Sequence, residues 1–245
     1  MKGKSVVITG ASSGIGRRLA IDLAARQTRL VLAARNRQKL EALAQELGGD
    51  NGQVIAQPTD VTQPEQCRRL AKTAVEAFGG IDYLVLNAGL SMWSRFDQIS
   101  EPGVFRKIME TNYLGSVYCV QAALPQLRRS GGTIVAVTST QAVVGLPNHS
   151  AYSASKHAVR GFLEALDLEL DGEVRILQVM PGWVKGTNLR SRALKGDGQV
   201  VGESRRAHGK DAVTVEELSR RIVRAMETGQ TELYVPSKLR FVPWL

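Results

Sequence analysis

The feature that most constrains this chain is a repeated alternation along its length. Short aliphatic and β-branched runs, apolar on successive residues, are each followed by a longer stretch with apolar residues at helical spacing. Runs such as VVI, LVL and TIVAV present apolar side chains to both faces of a strand, as strands of a parallel sheet covered on both sides must. The pattern predicts strands at 5–8, 29–33, 53–56, 83–86, 133–137, 174–179 and 232–235. Between them, stripes such as Ile15, Leu19 and Leu23, or Leu218, Ile222 and Met226, predict helices that face the sheet. The fold class is therefore α/β: a doubly wound sheet of about seven parallel strands flanked by helices. The 245 residues show no break in composition, so 1–245 reads as one domain.

One segment departs from the rhythm. From 186 to 211 no strand is legible, and Gly196, Gly198, Gly202 and Gly209 interrupt any helix; a loop this long in a compact domain is read as a mobile cover over a substrate. The formal charge of +9 is spread along the chain; its densest stretch, 185–210 with Arg190, Arg192, Lys195, Arg205 and Arg206, lacks interleaved aromatics to stack bases, so it reads as a solvated basic face or a site for a phosphorylated or acidic ligand, and nucleic acid is not the expected partner. Cys67 and Cys119 have no CxxC partner and read as reduced packing residues, and no metal-ligand constellation is visible. The N-terminus lacks a long apolar run, and none approaches the roughly 20 residues of a membrane span, so a cytoplasmic setting is expected.

Chemistry enters directly after the first strand, at TGASSGIG. Glycines at 10, 14 and 16, with Ser12, Ser13 and Ile15 between them, let the backbone turn tightly and approach a pyrophosphate at the positive end of the following helix. The spacing is neither GxGxxG nor a phosphate loop with Lys-Ser or Lys-Thr.

This turn resembles the TGxxxGxG cofactor motif of the short-chain dehydrogenase/reductase family, whose other markers follow in order. Asn87-Ala88-Gly89 resembles its NAG motif, Asn112 its active-site Asn, Ser139 with Tyr152 and Lys156 its catalytic Ser and YxxxK, and Pro181-Gly182 its PG motif. The resemblance covers about residues 4 to 190 and implies a Rossmann-type domain, with cofactor binding mainly in 1–140 and catalysis and substrate binding mainly in 139–212. It implies hydride transfer between a nicotinamide and a carbonyl carbon, with Tyr152 as general acid/base, Ser139 orienting the oxygen, Lys156 on the ribose and Asn112 holding a relay water through its main chain. A Lys one helical turn from Tyr152 is expected to stabilise its phenolate, with an oxidised nicotinamide adding to that effect. Asp60 matches the residue near the adenine, with Val61 beside it, and Val184 belongs to the PG segment. The family's Thr contacting the carboxamide falls one place late here, at Thr187, so either Gly186 bulges and the contact survives or it is lost.

The second strand ends at Ala34, where a carboxylate would favour NAD(H), and Arg35 follows, where a guanidinium meets a 2′-phosphate. NADP(H) is therefore the expected cofactor, with NAD(H) as the alternative. The leading function is interconversion of a small-molecule ketone or aldehyde with an alcohol. The alternatives are a β-ketoacyl reductase, with Arg128 and Arg129 meeting an acidic carrier, and a non-catalytic dinucleotide sensor or scaffold. His157 reads as a packing or surface residue, and His149 as a lesser candidate for substrate contact. A homodimer or homotetramer is expected through helices beginning near Glu101 and His149, because Ala158, Val159, Leu163 and Leu168 widen the later helix's apolar face. The C-terminal FVPWL packs on the core, meets another subunit or touches a membrane surface.

Overall fold

Successive residues of a strand point to opposite sides, and here both sides are apolar. In the computed structural model, which describes residues 1–48, 51–202 and 212–244, β1 (Ser5–Thr9) sends Val6 and Ile8 into one core layer and Val7 into the other. The first layer is closed by α1 (Gly14–Ala24), α2 (Arg37–Glu46) and α7 (Val215–Thr228), through Leu19, Leu40 and Ile222 among others. The second is closed by α3 (Pro64–Phe78), α5 (Gly115–Ser130) and α6 (Ser150–Leu170), through Leu70, Val120 and Leu163.

The remaining strands are β2 (Arg29–Ala34), β3 (Val54–Pro58), β4 (Tyr83–Leu86), β5 (Thr133–Val137), β6 (Arg175–Pro181) and β9 (Glu232–Val235). With β1 they form one parallel sheet in the order β3-β2-β1-β4-β5-β6-β9. The expected α/β sheet of seven parallel strands is thus observed, with strand ends moved by at most two residues. The order reverses between β1 and β4, and that switch point opens a crevice at the carboxyl ends of the strands. Local signals set the helix ends. Asn36 accepts a hydrogen bond from Lys39 N at 2.9 Å, Thr214 accepts one from Glu217 N at 3.2 Å, and Gly79 ends α3 in the left-handed region.

Three features differ from the sequence reading. The helix expected to begin near Glu101 is not one regular helix: α4 (Gly103–Met109) passes through a π turn, Glu110–Leu114, into α5. Tight contact with the 60–61 loop accompanies the extra residue, since a Cβ on Gly115 would lie 2.7 Å from Val61 Cγ2. The 186–211 segment is bracketed by a short parallel pair, β7 (Val184–Lys185) with β8 (Val213–Thr214). Its described part is pinned: Leu194 is buried beside Met92, Leu194 N donates to Ser91 O at 2.9 Å, and Trp93 N donates to Leu194 O at 2.8 Å. Residues 203–211, which include Arg205, Arg206, His208, Gly209 and Lys210, lie outside the described residues, as does Leu245.

The third difference is on α6. Val159 and Leu163 face the sheet, Ala158 is half-buried, and of the four residues only Leu168 is exposed, at 83%. The outward apolar face is therefore narrower than the sequence suggests. Arg128 pairs with Glu173 at 2.8 Å and Arg129 donates to Gly79 O at 3.0 Å, so both arginines have partners within the fold. Cys67 and Cys119 are free thiols buried between α3 and α5, their sulfurs 3.6 Å apart. The C-terminal segment Ser237–Trp244 forms 3₁₀ turns that lay Leu239 over Gly182 and leave Phe241 exposed. Among the described residues no helix is long and apolar enough to cross a membrane, and no cluster of three metal-ligating side chains occurs.

Candidate active site

The glycine turn after β1 is fixed by steric necessity. Gly10 has φ +66°, and a Cβ there would lie 2.8 Å from Asn87 Nδ2 and 2.9 Å from Ala88 Cα. Gly16 is more confined: a Cβ would lie 2.5 Å from both Asn87 Nδ2 and Gly10 O. Asn87 knits the two loops across the switch point, its Nδ2 donating to Thr9 O at 3.0 Å and Gly10 O at 3.2 Å. Thr9 Oγ1 accepts from the backbone N–H groups of Asn87 and Ala88 at 2.9 and 3.1 Å.

Ser13 occupies the N-cap of α1 but its side chain does not cap the helix, and the first turn carries no acidic residue. The N–H groups and positive pole of α1 are thus left to face an anion. This donor set fits the phosphates of a dinucleotide.

A cavity of about 980 Å³ runs over this turn. Ala34, Arg35, Asp60 and Val61 lie along it, as do Gly10, Ser12, Ser13, Gly14, Ile15, Asn87, Ala88 and Gly89. Ser139, Tyr152, Lys156, Pro181, Gly182, Val184 and Thr187 line it as well. The sequence-selected residues are therefore brought together with two exceptions: Gly16 and Asn112 do not line the cavity. Gly16 lies beneath the turn. Asn112 is buried behind the 87–90 loop, where its Oδ1 accepts from Leu90 N at 2.8 Å and its Nδ2 donates to Leu90 O and Ser155 Oγ, each at 2.9 Å. The π turn places this clamp, and the Asn112 carbonyl accepts from Ser116 Oγ at 2.7 Å.

Ser139 lies two residues past the end of β5, at the N-cap of a 3₁₀ turn (Thr140–Ala142), and its Oγ accepts from Gln141 N at 3.1 Å, which fixes the hydroxyl at the mouth of the sheet. Tyr152 and Lys156 share one face of α6 and are both buried. Lys156 Nζ lies 5.7 Å from the Tyr152 ring centroid and donates to Val137 O at 3.1 Å. Burial pushes the Tyr152 phenol up to about 12, against a smaller downward effect from the Ser139 hydroxyl. Burial also pulls Lys156 down to about 8. Within the protein alone burial outweighs the Ser139 hydroxyl, so the phenol stands above its ordinary value, not below it as the one-turn spacing of Lys156 suggested. At neutral pH Tyr152 is a phenol with a proton to give.

On the substrate side the sequence reading missed most of the wall. Met92, Trp93, Trp183 and Leu194 line the cavity together with His149. The rings of Trp93 and His149 meet edge-on at 4.9 Å, and Trp183 lies 6.2 Å from His149. His149 Nδ1 is 2.9 Å from Pro147 O, and burial holds its pKa below the usual imidazole range. The available signal was position: Met92 and Trp93 closely follow the carboxyl end of β4, where ligands bind in open sheets. His157 is exposed on the outer side of α6, as expected.

The model of the short chain dehydrogenase family matches residues 4–197. The chain is 41% identical over 202 residues to 11-beta-hydroxysteroid dehydrogenase 1A of Arabidopsis thaliana, covering 81% of this chain and 57% of that protein. It thus spans little more than half the length of that relative. It is 38% identical over 245 residues to 11-beta-hydroxysteroid dehydrogenase A of Arachis hypogaea, covering 97% of this chain and 70% of that one.

Among solved structures, an alcohol dehydrogenase from Thermococcus sibiricus complexed with 5-hydroxy-NADP superposes with a TM-score of 0.78 at 30% identity, over 94% of this chain and 95% of that one. A short chain dehydrogenase from Burkholderia cenocepacia in complex with NADP superposes with a TM-score of 0.82 at 28% identity, over 100% of this chain and 93% of that one.

Proposed function

The chain belongs to the short-chain dehydrogenase family, and from that premise we propose that it is an NADP(H)-dependent oxidoreductase interconverting a lipophilic ketone or aldehyde with the alcohol. One observation carries the reading: Ser139, Tyr152 and Lys156 converge on the cavity that also runs over the glycine turn. A nicotinamide, when bound, supplies the hydride and takes it back in the reverse direction. The chain's part is to hold and protonate the substrate oxygen. Ser139 donates a hydrogen bond to that oxygen and orients it. Tyr152, kept protonated by burial, gives its phenolic proton to the same oxygen during reduction and recovers one from solvent through Lys156 and a water held by the Asn112 main chain. Lys156 would hold the ribose hydroxyls, and the turn from Gly10 to Ile15 the phosphates.

The cofactor preference rests on the end of β2. Ala34 offers no carboxylate to a ribose, Asn36 is occupied in capping α2, and Arg37 pairs with Glu41 at 3.3 Å. Arg35 borders the cavity, is exposed, and makes no ion pair among the described residues, so its guanidinium is placed for a 2′-phosphate. The apolar and aromatic wall of Met92, Trp93, Trp183 and Leu194 supports a lipophilic substrate, in keeping with the hydroxysteroid names of the relatives.

The test is a panel of steroid, cyclic and short-chain ketones and aldehydes, assayed with NADPH and with NADH. Turnover of a lipophilic carbonyl compound with NADPH is expected. Failure of every compound, together with failure of the protein to bind either dinucleotide, would overturn the proposal.

A further inference from the structure

The substrate-covering segment reaches back over the cofactor turn through one side chain. Arg192 borders the cavity, and its Nη1 lies 3.5 Å from Ser13 Oγ, at the N-cap of α1. That contact is long, exposed and made to a neutral hydroxyl, which is a poor match for a guanidinium. Among the described residues Arg192 makes no ion pair, and the first turn of α1 has no acidic residue. A guanidinium and the positive pole of a helix therefore face one spot with no negative charge between them. Such an arrangement is repulsive by itself and becomes attractive when an anion lies there.

The backbone under this side chain is held, so its placement is a property of the fold. Arg192 N donates to Asn188 O and Ala193 N to Arg190 O, each at 3.1 Å. Two residues on, Leu194 is buried beside Met92. At the near end, Thr187 Cγ2 lies 3.6 Å from where a Gly14 Cβ would stand.

We propose that Arg192 is a cofactor-positioning residue, closing on the dinucleotide pyrophosphate from the side opposite α1. The inference rests on the dinucleotide reading above and goes beyond it, because it assigns the substrate-covering segment a hold on the cofactor.

The experiment titrates the purified full chain with NADPH and with NADH, following binding by calorimetry without substrate. Arg192→Ala is expected to raise Kd by about 10-fold or more for both dinucleotides, the range of a lost charge-assisted hydrogen bond. Arg192→Lys, which keeps the charge and loses the fork, should recover part of that loss. Raising salt should weaken binding more steeply in the wild type than in Arg192→Ala.

Because Arg192 is exposed, a thermal melt matching the wild type would show the variant folded. Wild-type affinity in Arg192→Ala for both dinucleotides would overturn the inference and leave the cofactor reading standing. A loss confined to NADPH would overturn it too, by moving Arg192 to the 2′-phosphate. Failure of the wild type to bind either dinucleotide would overturn the cofactor reading, and this inference with it.

Discussion

The turn from Gly10 to Gly16 and the segment from 186 to 202 face one another over the same cavity, and they are built in opposite ways. The turn is held by backbone: a positive φ at Gly10, glycines that no Cβ can replace, and Asn87 bridging two main-chain carbonyls. The segment is held by side-chain burial and by main-chain bonds to residues about a hundred positions earlier, Leu194 to Ser91 and Ser100 to Gly196 at 3.0 Å. A site element made of backbone tolerates almost no substitution, whereas one made of burial yields by degrees. On the proposed reading the turn on the cofactor side is the element that tolerates least change, and the burial-held segment on the substrate side the one that tolerates more.

The largest effect should come from the rigid side. Gly10→Val meets both a positive φ and contacts below 3 Å with Asn87 and Ala88, so dinucleotide affinity should fall by at least about 100-fold, with a lowered melting temperature. Normal affinity in a normally folded variant would show that the turn's conformation is not what holds the cofactor.

Next comes the adenine end, where the holding group is a side chain on a backbone frame. Ala34→Asp with Arg35→Ala should shift the ratio of kcat/KM for NADPH over NADH toward NADH by about 10- to 1000-fold, equivalent to one or two charged contacts of roughly 1.5–3 kcal/mol each. An unchanged ratio would remove Arg35 from the cofactor site.

The smallest effect should come from the opposing segment. Leu194→Ala leaves space beside Met92 and Ile108, and is expected to raise KM for the ketone several-fold while the Kd for NADPH stays within about twofold. A large change in cofactor affinity without a change in KM would reverse the division of labour drawn here.

The same contrast explains what was legible in the sequence. Strands apolar on both faces and glycines at fixed spacing are local signals, so the sheet and the glycine turn were readable residue by residue. The π turn at Glu110–Leu114 was not, because it arises with contact between Gly115 and Val61, which are far apart in sequence. The packing of Leu194 on Met92 was hidden for the same reason: glycines and charges around 186–202 look like a free loop until the partner residues after β4 are in place. Tyr152 and Lys156 were found by spacing, yet their electrostatics were not, because burial is a property of the finished fold. Arg192 stood out only as one of several basic residues in the chain's densest charged stretch, with nothing local to single it out from its neighbours.

The central claim is that Tyr152 gives the proton while the rest of the site holds the cofactor. It is tested most directly by Tyr152→Phe, measured for NADPH affinity and for single-turnover reduction of the best ketone in the panel. The account predicts a Kd within about twofold of wild type and a rate lowered by about 10²- to 10⁴-fold, the range for a positioned acid. A rate near that of the wild type would contradict it.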